Sequence, residues 1–541
     1  MKNTHPPASP EHLLQKIKGD IEHGIGHVKD HISTISANSV PDLSASHLSA
    51  KDIIQDAKEA LTREVKSLST KVASVTQPNI ATMALADIQA IILNDRPTPY
   101  YGTLVALKVN DGKIGRQLIK AVLPEVTSSQ DFQKDMAANL TLVMTYEGLK
   151  ALGLPQSSLD SFPENFKIGM AGRADILGDT GDNDPKHWLA PFGDKGDIHI
   201  CAAIIANSQA TWQAKLAELK QALAPYSDSQ NQNTAIEILV THDFGADGAV
   251  KNVFGYRDGI SNPEVAGSGI HLANNHERPI AAGEFVLGYQ GEAGVIPPMP
   301  QPEVLGKNGA FMVLRKYQSH VADFNRYCLQ QSDNDPAKAD QLGAKMFGRW
   351  RSGAPITLSP EHDDPALGED EKRNNNFDYS NDSVGKGCPL GSHARRMNPR
   401  NTKDFILSDV RLHRIIRRSV SYGDIVPPHV TKDDGKPRGL IFIGINAHAM
   451  DTLEFLQSQW INDGNFMNLG EERDPLLGVH EGNDHAEADV FSVPAEPIRQ
   501  RHTGILQFNT LQGGEYLFIP SLSALKWISE LGENKNNNDT N

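Results

Sequence analysis

Cysteine is nearly missing from this chain, with three residues in 541: Cys201, Cys328 and Cys388. They are far apart and odd in number, so neither a disulfide framework nor a CxxC metal clip can be built from them. That usage fits a reducing compartment. A basic surplus is missing too. The 67 acidic residues outnumber the 52 basic ones and leave a net charge of -15, which argues against a generic nucleic-acid binder with its basic face. No run approaches the roughly 20 apolar residues that span a bilayer. The opening MKNTHPPASPEHLLQK has neither an apolar h-region nor a twin-arginine pair, so the expectation is a cytoplasmic protein without an export signal. What is present, 39% hydrophobic and 22% charged residues, fits a globular chain with a substantial core.

Residues 1–80 differ in texture from the rest. Leu14, Ile17, Ile21 and Val28 share one helical face, and Ile54, Leu61, Val65, Leu68 and Val72 share another, so a helical extension is expected. It reads either as a hairpin docked on the body or on a second subunit, or as an arm for a membrane surface or a partner. From about residue 81 the pattern becomes α+β. GTLVALKV (102–109), LTLVMTY (140–146) and IHICAAIIA (198–206) read as strands, and QATWQAKLAELKQALAPY (209–226) as a helix. After GISNPE a comparable series recurs. EFVLGY, AFMVLRKY and GLIFIGINA read as strands, with HVADFNRYCLQQ and MDTLEFLQSQWIND as helices. Two similar halves, 81–270 and 271–530, are therefore expected, followed by a disordered polar tail over 531–541.

Four segments carry chemistry. In GCPLGSHARRMNPR, His393 follows Gly391 and Ser392, which leave room for something flat, and precedes Arg395, Arg396 and Arg400. Those guanidiniums suit paired carboxylates. A planar ligand with a metal centre and two acidic arms meets both demands, and haem has that shape; a proximal histidine is a standard holder of its iron. A lone histidine is more often structural, and C-x4-H is no zinc spacing. In NVFGYRDGISNP, Gly255 and Gly259 bracket Asp258; this is an ordinary turn, or a close backbone approach that aims a proton-moving carboxylate into a cavity. RLHRIIRRSVSYG places Ile415 and Ile416 before Arg417, so this basic run enters the core and needs an anionic partner. In GLIFIGINA, alternation puts Leu440 and Phe442 on one face.

Taken together, GYRDG, CPLGSHARRMNPR, IIRRSVSYG, GLIFIGINA and QGGEYLFIPS resemble the dye-decolourising (DyP-type) haem peroxidases, in their longer subgroup, in order over roughly residues 84 to 530. The resemblance implies two ferredoxin-like halves with antiparallel sheets and peripheral helices, and one haem b per chain held mainly by the C-terminal half. His393 would be the iron ligand, Asp258 the distal acid–base residue and Arg417 the distal arginine, with Arg418 one residue away as the alternative. Asp258, Gly259 and Ile260 would pass over the cofactor, Asn398, Pro399 and Arg400 would lie near a propionate, and Leu440 and Phe442 would form a dry wall. Glu515 would be the partner of His393. Hydrogen peroxide and small aromatic donors are the implied reactants, with Tyr379, Trp350 or Trp460 as relays or as plain core. Haem binding or delivery, porphyrinogen oxidation and iron removal from haem are alternatives on the same fold.

Overall fold

The computed structural model describes residues 83–132, 138–193, 197–227, 234–246, 251–271, 277–401, 409–483 and 485–532. The extension expected over 1–80 and the tail from 533 onward lie outside the described residues.

The first half supplies strands β1 (Tyr100–Val109), β2 (Ala138–Met144), β3 (Ile200–Ala206) and β4 (Ile236–Ala246), paired antiparallel in the order β4-β1-β3-β2. Helix α1 (Gly112–Val122) follows β1, and α2 (Gln209–Leu223) follows β3. The second half repeats the scheme. It contributes β5 (Ala310–Ser319), the short β6 (Ile416–Arg417) and β7 (Val420–Tyr422), and β8 (Gly439–Asn446). A small ribbon of β9 (Phe491–Val493) and β10 (Gln500–His502) then precedes β11 (Asn509–Ile519). The order β11-β5-β8, with β6 and β7 on the free side of β8, repeats the fourth-first-third-second order of the first half. Helices α3 (Val321–Gln330), α4 (Pro336–Phe347) and α5 (His393–Met397) lie between β5 and β6, α6 (Ala449–Phe455) follows β8, and α7 (Leu522–Ser529) follows β11. These are two ferredoxin-like halves with an antiparallel sheet and peripheral helices. Phe518 opposite Met144 joins them into one nine-stranded sheet.

The strands are apolar on both faces because each face meets a different core. Along β1, Val105, Leu107 and Val109 pack with Leu118 and Ile119 of α1 and Leu219 and Leu223 of α2. The alternate residues Leu104 and Ala106 pack inward with Leu314, Ile441 and Ile443 of the second half. A period of two thus feeds two cores from one strand. Helices α1 and α2 begin where polar side chains take up orphan N–H groups. Asp111 accepts from Lys113 and Ile114 at 2.9 and 3.1 Å, and Ser208 accepts from Thr211 at 3.3 Å.

Two expectations need correction. EFVLGY (284–289) is not a strand but a set of turns whose Phe285, Val286 and Leu287 are fully buried. Gly288 at φ +87° turns the chain there, and a Cβ on Gly283 would stand 2.2 Å from the Tyr289 carbonyl. Burial without alternation reads the same for a strand and a buried turn. The second helix ends at Leu223 rather than Tyr226. Beyond α6 the chain continues as a π-helical stretch, Leu456–Ile461, an irregularity frequent at functional sites.

On the outer face of β5 the guanidinium of Arg315 is paired with Asp179, the two side chains being 2% and 4% exposed. Tyr317 Oη accepts from Arg315 Nε at 2.7 Å. Removing one partner strands the other charge, so Asp179→Ala is expected to cost about 3–5 kcal/mol of stability. Urea unfolding of the variant measures it, and a change under about 1 kcal/mol contradicts the expectation. Among the described residues no helix is long and apolar enough to cross a membrane.

Candidate active site

On the outer face of the second half-sheet lies a cavity of about 270 Å³. Strand β8 gives it Leu440 and Phe442, while Ile441 and Ile443 turn to the inner core. The alternation read in GLIFIGINA therefore decides which side chains reach the cavity.

His393 is the first residue of α5, and its side chain is 26% exposed toward the cavity. Its Nδ1 lies 2.9 Å from Oδ2 of Asp474, which is fully buried. Asp474 Oδ1 accepts the backbone N–H groups of Leu476 and Leu477 at 2.9 and 3.0 Å. Burial pushes the Asp474 carboxyl up, but His393, Arg396 and the Leu476 N–H outweigh it and hold it below the usual carboxylate range. An ionised carboxylate fixes the Nδ1–H tautomer and leaves Nε2 as the donor for a ligand. Glu515, expected in this role, does not have it. Its carboxylate lies beside Gly169 and accepts from the Tyr516 N–H at 3.0 Å. Alternation along β11 sets residue 515 with Leu517 and Ile519, the pair in the inner core. Burial pushes the Glu515 carboxyl up to about 7.

The turn at Asp258 also lines the cavity, together with Gly259 and Ile260. Gly255 and Gly259 take φ of +82° and +80°, which is why glycine brackets the aspartate. Asp258 Oδ1 accepts the Gly259 N–H at 2.7 Å, and Oδ2 pairs with Arg96 at 3.2 Å. Arg96 also donates to the Ser419 carbonyl at 2.6 Å. Burial raises the Asp258 carboxyl; Arg96, then Arg417, and the Gly259 N–H overcome that and hold it below the ordinary range. Arg417 lines the cavity and donates to the Ile260 carbonyl, while Arg418 points away and pairs with Asp95 at 2.6 Å. Of the two arginines left open by the motif, only Arg417 lines the cavity that holds Asp258.

The remaining cations divide in an unexpected way. Arg395 and Arg396 are fully buried and turned from the cavity. Arg395 donates to the Cys388 carbonyl at 2.7 Å, and Arg396 to the Trp460 carbonyl at 2.6 Å. At about 100° per residue Arg395 falls on the far side of the helix from His393, and Arg396 lies about 60° to one side of it, whereas Ala394 and Met397, which line the cavity, lie to the other side. Arg400 and Asn398 do line it; Pro399 does not. Arg349, which no motif marked, stands with Arg400 over Phe377, the guanidinium carbons 5.6 and 3.9 Å from the ring centre. The bonds these two make among the described residues end on neutral oxygens, including the Asn374 carbonyl for Arg349 and the Phe377 carbonyl for Arg400. Burial, and next the Arg400 charge, lower the Arg349 guanidinium from its usual range. Phe377 and Tyr379 reach the cavity from the long polar stretch 359–387. Trp350 and Trp460 are buried in side cores.

Whether haem suits these residues is decided by the donors. Among the described residues no cluster of three or more His, Cys, Asp or Glu side chains could hold a bare metal ion. A metal at His393 must therefore bring its other donors with it, as a tetrapyrrole does. Arg400 is a buried cation and Arg349 a half-buried one, both facing neutral oxygens, which suits a ligand with carboxylate arms. Among the described residues Asn398 Oδ1 is buried without a hydrogen-bond partner. The residues fit the group.

Fold and cavity define the class: an α+β protein of duplicated ferredoxin-like halves, whose second half carries a polar-ended cavity with one imidazole and one arginine-paired aspartate. Residues 87–236 match the DyP dimeric alpha+beta barrel domain, and residues 291–472 match the C-terminal Dyp-type peroxidase domain. Peroxidase 2 of Mycetinis scorodonius is 31% identical over 438 residues, 76% of this chain and 80% of the relative. A solved ancestral D-type dye decolorizing peroxidase superposes with a TM-score of 0.69 at 28% identity, covering 82% of this chain and 99% of its own. A dye-decolorizing peroxidase solved with 2,6-dimethoxyphenol gives 0.68 at 28% identity, covering 83% of this chain and all of its own. The chain belongs to the family of DyP-type peroxidases, and it is an oxidoreductase.

Proposed function

We propose that this chain holds one haem b through His393 Nε2 and uses hydrogen peroxide to oxidise small aromatic donors, dyes and phenols, in one-electron steps. What supports the reading most is a single cavity lined both by an imidazole tied to a buried carboxylate and by an aspartate kept ionised by arginines. Bound haem would supply the redox chemistry, the capacity to hold the two oxidising equivalents of peroxide and release them singly to donors. Arg349 and Arg400 would receive the carboxylate arms, and Asn398 would lie beside them. Leu440 and Phe442 would keep water from the reacting face.

Asp258 then moves one proton. Ionised, it accepts a proton from the attacking end of hydrogen peroxide and returns it to the departing oxygen, which leaves as water. Arg417 balances the negative charge that grows as the O–O bond breaks. Arg96 holds the Asp258 carboxylate in place through the 3.2 Å ion pair. The division at residues 80, 270 and 530 belongs to the same proposal, and the three buried thiols without a disulfide support a reducing, cytoplasmic setting.

The test is a hemin titration of the purified chain followed by one equivalent of peroxide. Stoichiometric Soret absorbance and its rapid change on peroxide are expected. Pigment that ignores peroxide would leave haem carriage as the function, and a chain that refuses hemin would overturn the reading.

Arg96 gives a separate prediction through pH. Because Asp258 lies below the usual carboxylate range, it stays ionised down through about 3.9, and only further acidification protonates it. Its contribution to stability has the same sign, being present above the unfolded value and lost as pH falls through the folded one. Arg96→Ala removes the nearest cation, so the acid limb of the peroxide reaction is expected to move up by about one pH unit. Stopped-flow rates between pH 3 and 7 measure it, and an unmoved limb rejects the role.

A further inference from the structure

His480 takes no part in the chemistry above, yet its surroundings are unusually determined. Its side chain is 1% exposed. Nδ1 lies 3.0 Å from Oδ1 of Asp489, and Nε2 lies 2.8 Å from the backbone carbonyl of Asp474. A carbonyl oxygen only accepts, so Nε2 carries a hydrogen. Nδ1 is decided by Asp489, whose two oxygens also face the Glu481 N–H at 3.3 Å, with Oδ2 taking the Asn483 N–H at 2.8 Å. A carboxylate surrounded by donors is ionised, and burial, which raises its carboxyl, is outweighed by His480 and those N–H groups. Both ring nitrogens therefore donate. The other groups facing this pair are Gln507, whose Oε1 accepts the His480 N–H at 3.0 Å, and, beyond Asp474, His393 and Arg396.

We propose that His480 is a buried imidazolium, neutralised by Asp489, that acts as a positioning residue for the haem ligand by holding the backbone carbonyl of Asp474 and placing a positive charge behind that residue. The Asp474 carboxylate takes less of the His393 Nδ1 proton, and His393 donates less strongly to the metal. The inference rests on the reading of His393 as that ligand. Behind the neutral His393 the charges run negative, positive, negative through Asp474, His480 and Asp489, and the outer pair is neutral overall.

The experiment is a charge rescue read by the reduction midpoint potential of the haem-loaded protein. His480→Gln keeps an N–H for the Asp474 carbonyl and leaves Asp489 uncompensated, so the potential is expected to fall, since a nearby anion favours the ferric state. His480→Gln with Asp489→Asn restores neutrality and is expected to return the potential toward that of the unaltered protein. Asp489→Asn alone is expected to leave it level or raised. A merely structural role would not reverse sign in this way, so a His480→Gln potential equal to that of the unaltered protein, or a double variant as low as the single, overturns the proposal. Should the variants not fold, 15N-histidine spectra of the unaltered chain without haem decide the ring charge. Two protonated ring nitrogens for His480 near neutral pH support it, and one unprotonated nitrogen defeats it. A protein that binds no hemin at all fails the His393 reading instead, leaving the ring charge measurable.

Discussion

Replacing His393 by glutamine is expected to remove haem affinity by at least about 100-fold, since even altering the partner of a metal-bound histidine costs 10–100-fold. Glutamine is the sharper substitution. Its amide N–H can still reach toward Asp474, which alanine would leave buried with only the N–H groups of Leu476 and Leu477. Loss of pigment in a folded glutamine variant therefore reports on Nε2 and not on a stranded carboxylate. Asp474→Asn should fall between: the imidazole stays, but an amide no longer demands the Nδ1–H tautomer. Hemin titrations of the three proteins, with circular dichroism as the folding control, measure the series. A His393→Gln protein that keeps a full Soret band ends the assignment.

Asp258→Asn is expected to slow the reaction with peroxide by about 10²–10⁴-fold while haem binding persists. The carboxamide is nearly isosteric and can still accept the Gly259 N–H through Oδ1, so the turn is retained. What it cannot do is take a proton from peroxide. Arg96 loses its anion but keeps the Ser419 carbonyl, which limits collateral damage. Arg417→Ala should slow the same step by about 10²–10³-fold, the range found when one charge-stabilising donor is removed. Stopped-flow rates at saturating pH measure both, and rates within a few-fold of the unaltered protein would remove either residue from the proton transfer.

How much of this was legible beforehand depended on whether a residue belonged to a continuous pattern. The halves were readable because the strands, apolar on both faces, alternate with amphipathic helices, and the GxxDG turn was readable because its glycines need positive φ. EFVLGY misled because a buried turn and a buried strand carry the same apolar run. Arg395 and Arg396 misled because adjacency in sequence is not adjacency on a helix; the turn of α5 carries them round to the Cys388 and Trp460 carbonyls. Arg96, Arg349 and Asp474 were missed for the opposite reason. Each sits in a stretch with no motif of its own, and two of them meet their partners across a large gap, 162 residues for Arg96 and Asp258 and 81 for Asp474 and His393.

The amino-acid order by itself determined the α+β pattern, the family, and which imidazole and which aspartate would face the cavity, because each of those depends on spacing over a few residues. Tertiary structure alone decided which carboxylate backs His393, which arginines reach the cavity and which cation holds Asp258. Those are electrostatic pairings over a few ångströms, and only the packing of β8, β11 and the intervening loops brings the charges within that range.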